Sequence, residues 1–442
     1  MQREWKASYQ HKQTAGQKAA TEKKQTAKPK PPVSQQSKLC PAFGRCGGCT
    51  LLNLSYEEQL ANKQKRVTEL LKPFGKLDPI IGMKGFPWHY RNKVHWAFGT
   101  DRKGKIIAGT YEESTHRIVP INSCKLENET ANRILCTIRD LMPSFHLTAY
   151  NENTGRGFLR HVLIRTAHQT GQVMVVLVVA TKVFPGKNNF IRVLREKHPE
   201  ITTIVLNYND KFTSMVLGEQ NTVLWGKGYI EDELCGKRFR ISPHSFYQIN
   251  SVQTEVLYGT AIELAGLTGK ERVIDAYCGV GTIGIIAADK AGAVIGVELN
   301  KAAVRDAIGN AKANEVKNIS FVCGDAGEYM EELAAVGERA DVVLMDPPRT
   351  GSSEAFIRSL SAMKPKRIVY VSCEPETLAR DLEGLKKIGY RAKKIVPVDM
   401  FPGTEATETV CLLGNRNAKP DTRVKLSVDT EELQRVKNGE KI

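Results

Sequence analysis

From about residue 242 to residue 415 the chain alternates short apolar, β-branched runs with helical stretches, and this alternation limits its fold more than any other feature. Arg272-Val273-Ile274-Asp275 and residues 293–298, 319–322, 341–345, 367–371 and 391–396 read as strands. Residues 252–265 and 302–314 read as helices. A βαβ series of this kind predicts an α/β domain, a parallel sheet with helices on both faces.

Asp275-Ala276-Tyr277-Cys278-Gly279-Val280-Gly281-Thr282-Ile283-Gly284 lies between the first strand and a helix. Its glycines fit G-x-G-x-x-G, which permits a tight turn and close approach of backbone to a ligand. Glu298, ending the next strand, is the acid placed to meet ribose hydroxyls. The loop alone points to an adenosine cofactor and does not separate a nicotinamide dinucleotide from S-adenosylmethionine (SAM). The fourth strand decides between them. Asp341 to Met345 runs into Asp346-Pro347-Pro348-Arg349, and Asp-Pro-Pro at that place resembles class I methyltransferases acting on nucleobases. The prolines stiffen the loop that holds Asp346. Val369-Tyr370-Val371-Ser372-Cys373 is a strand that ends on a thiol, with Pro375 closing the pattern. Ligands of open α/β sheets lie at the carboxyl ends of strands, which makes Cys373 a candidate nucleophile. The competing reading is a small buried hydrophobe.

Residues 90–234 are mostly strand-like, with helical stretches at 127–141 and 189–196, and predict a central α+β domain. Ahead of it, Ser55 with Glu58 three residues on is a capping box, opening a helix over 55–71 with Gly75 as its stop. Cys40, Cys46 and Cys49 have the spacing C-x5-C-x2-C among glycines, and Cys124 is the fourth thiol chosen to complete the set. Four thiolates hold either zinc or an iron–sulfur cluster, and spacing favours neither. Cys136, Cys235, Cys278, Cys323 and Cys411 stand in apolar or strand-like contexts and are expected in the core. Ten cysteines in a chain without an export signal argue against disulfides.

The net charge is +16, with a pI near 9.3. That excess suits a polyanion, nucleic acid first. No apolar run approaches the roughly 20 residues that span a bilayer, so the expectation is a soluble cytoplasmic monomer with no membrane partner. Domains are expected at 1–38 (basic, disordered tail), 39–241 (central α+β), 242–415 (cofactor domain) and 416–442 (polar extension).

Together the motifs resemble the SAM-dependent RNA uracil-5 methyltransferases, in the iron–sulfur branch that acts on 23S ribosomal RNA. The matching stretches are Cys40 to Cys49, Tyr90-Arg91-Asn92-Lys93-Val94, Leu159-Arg160-His161 and Ser242-Pro243-His244-Ser245-Phe246-Tyr247-Gln248-Ile249-Asn250. They continue with Asp275 to Gly284, Asp346 to Gly351, Ser372 to Asp381 and Asp399-Met400-Phe401-Pro402. The resemblance implies a class I (Rossmann-like) domain, a [4Fe–4S] cluster on Cys40, Cys46, Cys49 and Cys124, and SAM contacts from Gln248, Tyr277, Glu298 and Asp346, around the loop of Gly279 and Gly281. It implies Cys373 as nucleophile and Glu408 as general base. The same reaction on tRNA, or a catalytically silent iron–sulfur RNA-binding protein, are the alternatives. Three departures stand out. Thirty-eight polar residues are too few for the family's N-terminal β-barrel; Glu374 follows the nucleophile where Asn is common; and Ala406 stands where a His often precedes the base, with Glu405 nearby. Arg349 is a candidate cation for ionising the thiol, with a phosphate contact or a structural one as the alternative.

Overall fold

The computed structural model describes residues 40–416, apart from residues 86, 114 and 214. The tail expected at 1–38 and nearly all of the extension expected at 416–442 lie outside the described residues. Helix Tyr56–Leu71 opens on the anticipated capping box: Ser55 Oγ accepts from the Glu58 backbone N–H at 3.3 Å, and Glu58 Oε2 from the Ser55 N–H at 2.8 Å. It stops at Leu71, a turn before Gly75.

Two seven-stranded sheets follow. The first is ordered β3 (Ile118–Pro120), β2 (Ile106–Tyr111), β1 (Lys93–Thr100), β4 (Leu159–Thr166), β5 (Val173–Val179), β6 (Ile201–Tyr208), β7 (Gln220–Trp225). One face is covered by helices Glu129–Leu141 and Lys187–Lys197. The period-2 alternation explains it: Val94, Trp96 and Phe98 of β1 and Val162 and Ile164 of β4 point at Ile134, Leu135, Ile138 and Leu194. Lys93 and His95 therefore point to the other face. Strands β5 and β6 are parallel, and helix Lys187–Lys197 makes the crossover between them. The central sheet is thus mixed.

The second sheet is ordered β12 (Ile319–Cys323), β11 (Ala293–Glu298), β10 (Arg272–Ala276), β13 (Val342–Met345), β14 (Arg367–Ser372), β16 (Glu408–Asn415), β15 (Tyr390–Val398). The first five are parallel, but β16 runs antiparallel to both neighbours, so the expected all-parallel sheet is corrected to a mixed one. The physical reason is connectivity. The short segment between β15 and β16 leaves no room for a helical crossover, so the chain must turn straight back. The sheet order reverses between β10 and β13, the crevice where such folds bind ligands.

Packing does not follow the chain boundary expected at 241. Val67 and Leu71 of helix Tyr56–Leu71 are fully buried with Tyr370, Tyr390 and Ile395 of the second sheet and Leu378 of helix Pro375–Lys387. Leu77 and Ile81 add parallel bridges to Ile395 and Val398 at the β15 edge. The hairpin β8 (Ile230–Leu234) and β9 (Lys237–Ile241) shares one core with Met174 and Val176 of the first sheet and Leu257 and Ala261 beyond it. Among the five cysteines expected in the core, Cys278 and Cys411 are buried and Cys136 and Cys235 half-buried. Cys323 is exposed, because it ends β12 at the edge of its sheet.

Candidate active site and cysteine cavity

The Gly-rich loop leaves β10 by an unusual path. Tyr277 takes φ +63°, a left-handed conformation that costs a bulky residue energy. Gly279 and Gly281 follow at +56° and +81°. The two glycines serve different ends. A Cβ at Gly281 would press on the Phe321 ring at 3.0 Å, whereas one at Gly279 would meet nothing within 4 Å. The space over Gly279 is open to a ligand. Carboxylates pin the loop from below: Asp275 Oδ2 accepts from Gly284 N–H at 2.8 Å, and Glu298 Oε2 accepts from Gly279 N–H at 3.1 Å. The Tyr258 hydroxyl lies near the Gln248 and Thr282 side chains.

The antiparallel β16 is what completes the site. Ser372 pairs with Thr409 across β14 and β16, so Cys373 and Glu408 are consecutive outward positions of the same ladder. Glu408 is 3% exposed, and its Oε2 has no hydrogen-bond partner. Burial and the Asp346 carboxylate push its pKa well up, while Arg349 pulls it down. Cys373 is raised to about 11 by burial and then by Glu408 and Asp346, with Arg349 opposing. Burial likewise raises Asp346 to about 7, and Asp275 to about 7, the latter also through Asp346 and Glu298. Thiol, two carboxyls and a guanidinium therefore share one field. Glu405 does not join them: it is exposed, and its backbone carbonyl accepts from Arg66.

Helix Tyr56–Leu71 holds this end of the sheet, a role its sequence did not announce. Lys63, 1% exposed, donates to Asp399 Oδ1 at 2.5 Å and to the carbonyls of Phe401 and Ala406 at 3.1 and 2.9 Å. Tyr56 donates to Asp399 Oδ2 at 2.9 Å. One buried ammonium thus fixes the loop that runs into Glu408. One turn on, Arg66 pairs with Glu374 at 2.9 Å and Glu376 at 2.7 Å. That pairing gives Glu374 its physical account, because a guanidinium offsets the acid next to the thiol. Phe246, two residues before Gln248, is 66% exposed, a face on which a base can stack.

Cys40, Cys46, Cys49 and Cys124 line a single cavity of about 50 Å³ with Phe43, Leu52 and Ile121. Cys40 to Cys46 is a tight turn, with Phe43 N–H bonded to the Cys40 carbonyl and Cys46 N–H to that of Ala42. Arg91 Nε and Thr110 Oγ1, in the same wall, are buried without partners. Among the described residues, no three His, Cys, Asp or Glu side chains converge as they would about one bound ion.

A mixed seven-stranded sheet of this order, a Gly-rich loop pinned by two carboxylates and Asp-Pro-Pro at the switch point define a SAM-dependent methyltransferase. Comparison with known proteins carries this further. The family model described as tRNA (uracil-5-)-methyltransferase matches residues 55–416. An uncharacterized RNA methyltransferase of Halalkalibacterium halodurans is 44% identical over 383 residues, 86% of this chain and 83% of the relative. A similar protein of Caldanaerobacter subterraneus is 44% identical over 379 residues, 85% of this chain and 83% of its own. The crystal structure of Pyrococcus abyssi tRNA (uracil-54, C5)-methyltransferase with S-adenosyl-L-homocysteine is 30% identical. It superposes with a TM-score of 0.70 over 83% of this chain and 86% of that one. The chain belongs to the SAM-dependent RNA uracil-5 methyltransferase family. Among the described residues no helix is long and apolar enough to cross a membrane.

Proposed function

We propose that the protein methylates C5 of a uridine in 23S rRNA through a covalent Cys373 adduct, giving 5-methyluridine. The observation that carries the reading is the convergence of Cys373 and Glu408 at adjacent ends of β14 and β16, beside Asp346. Uracil C5 is a poor nucleophile. Addition of the Cys373 thiolate to C6 makes an enolate with electron density at C5, which splits one hard step into easier ones. SAM, when bound, supplies the methyl group as an electrophile. After transfer, Glu408 takes the C5 proton, and the electron pair of that C–H bond expels the thiolate and restores the 5,6 double bond. A buried carboxyl with a raised pKa suits this base, since its carboxylate takes a proton more readily than an exposed one does. Arg349 favours the thiolate. Gln248, Tyr277, Gly279, Gly281, Glu298 and Asp346 line the crevice assigned to SAM. The base must leave its stack to reach it.

The four cysteines fit a [4Fe–4S] cluster by donor type: all four are thiols, around one cavity with two unpartnered polar atoms in its wall. They would ligate the cluster, and it would tie the 40–49 turn to the segment after β3. Anaerobic purification should give a brown protein with iron and labile sulfide; a colourless, zinc-containing one rejects the cluster. The family model and the Pyrococcus relative are tRNA enzymes, which favours tRNA as the second reading. Mapping 5-methyluridine in both RNAs from a deletion strain separates them. Loss from 23S rRNA alone supports the proposal, and loss from tRNA alone replaces its substrate.

A further inference from the structure

A cluster of basic side chains on the first sheet has no part in the chemistry above. Lys93 stands directly opposite Arg165 across the antiparallel β1–β4 pair; His95 lies two residues along β1, opposite Leu163, and His161 four residues along β4, opposite Ala97. Lys93, His95, His161 and Arg165 share the face turned away from the two helices. Like charges directly opposite in a ladder destabilise it, and here they are crowded further. The guanidinium of Arg165, 2% exposed, reaches the carbonyls of Pro243 and Ser245 with Nη2 and leaves Nε unpartnered. His161, 6% exposed, has Nδ1 unpartnered. Exposed His244 lies in the field of both Arg165 and Lys93. Among the described residues no carboxylate answers Lys93, His95, His161, Arg165 or His244: what shifts their titration is burial and one another, with Arg91 and Arg160. Burial and Arg165 lower the Lys93 ammonium to about 8, so it still carries its charge at neutral pH.

A lysine and an arginine set directly opposite each other among imidazoles, without an acid to answer them, are missing an anion. The position says which. Asn92, just before β1, donates from its backbone to Ile249 and from its side chain to the Gln248 carbonyl, both at 2.9 Å. The cationic face therefore abuts the segment carrying Gln248 and exposed Phe246. We infer that Lys93, His95 and His244, over buried Arg165, form a binding site for a backbone phosphate of the RNA strand beside the nucleotide drawn into the methyltransferase crevice. The inference rests on the RNA-methylating reading. Lys93 supplies a point charge, the two imidazoles donate hydrogen bonds, and Arg165 positions the 242–250 segment while adding to the field. Sequence is not read here; register is.

The test measures binding of a short labelled oligouridylate across a KCl series. Lys93→Gln should weaken binding several-fold and flatten the slope of log K against log salt by about 0.7, one phosphate's worth on a single strand. Lys93→Arg should keep the wild-type slope. So should Lys197→Gln, which removes an exposed charge from the far side of the sheet. Because Lys93→Gln also relieves repulsion from Arg165, its melting temperature should equal or exceed that of the wild type. An unchanged slope in Lys93→Gln, or the same flattening in Lys197→Gln, overturns the site. A fall in melting temperature assigns Lys93 to structure instead. SAM affinity, measured without RNA, should not move. A protein that binds oligouridylate in this way but methylates no uridine refutes the reaction and leaves the phosphate site standing.

Discussion

The two sheets carry opposite electrostatic imprints. At the carboxyl ends of β10, β11, β13 and at the start of β16, Asp275, Glu298, Asp346 and Glu408 crowd together, and burial raises three of them. On the face of β1 and β4 turned away from the two helices, Lys93, His95, His161 and Arg165 crowd together, and burial lowers all four. Each cluster is unfavourable in the protein alone and is neutralised by a ligand of the other sign: the sulfonium of SAM for the carboxylates, a phosphate for the cations. Crowding of one sign is thus a record of what binds. Structural ion pairs look different. Lys63 and Asp399 are almost completely buried, yet each charge has its counterpart at 2.5 Å.

The comparison can be broken at several points. The largest effect belongs to the proposed nucleophile: Cys373→Ala should cut 5-methyluridine formation by roughly 10⁴-fold or more while SAM affinity stays put. Glu408→Gln should allow methylation but slow release, by about 10²- to 10⁴-fold in turnover. At a pH high enough to ionise Glu408, it should also speed alkylation of Cys373 by iodoacetamide, because the charge that raises the thiol is gone. Normal turnover in this variant removes Glu408 from its role. Lys63→Met should cost about 3–5 kcal/mol in denaturant unfolding, since Asp399 is left buried without its countercharge. A loss within about 0.5 kcal/mol shows that Asp399 finds another partner. Smaller is the pH effect on SAM binding: affinity should rise as pH climbs through about 7 and Asp346 ionises, and be flatter in Asp346→Asn.

The unliganded protein should also show the two clusters in its stability. The folded carboxyls at about 7 bind protons that the unfolded chain has released, so stability falls as pH rises from about 4 to 7. Lys93 has the reverse sign. The unfolded lysine holds its proton longer, so stability rises with pH between about 8 and 10.5, and Lys93→Gln should remove that rise.

Much of the site was legible because its signals are local. The Gly-rich loop, Asp346 after a strand and Cys373 at the end of another are each written in fewer than a dozen residues. What escaped depends on partners far apart in the chain. The run from Val410 to Leu413 is apolar, but nothing in it says that it lies antiparallel between β14 and β15. The apolar stripe of helix Tyr56–Leu71 is visible, but not that Val67 and Leu71 meet Tyr370 and Tyr390, or that Arg66 answers Glu374. Lys93 and Arg165 lie 72 positions apart, and only strand register makes them opposite. Cys323 shows the limit of local context: an apolar strand can still end at an exposed sheet edge.

The central claim is that a thiol, not the pocket alone, activates the uracil. Incubation with SAM and RNA containing 5-fluorouridine tests it most directly, because fluorine at C5 leaves no proton for Glu408 to remove after methyl transfer. The account predicts a denaturation-resistant protein–RNA adduct that carries the methyl group, maps by mass spectrometry to Cys373, and is absent from Cys373→Ala. Methylated fluorouridine released without any adduct, or an adduct on another cysteine, contradicts it.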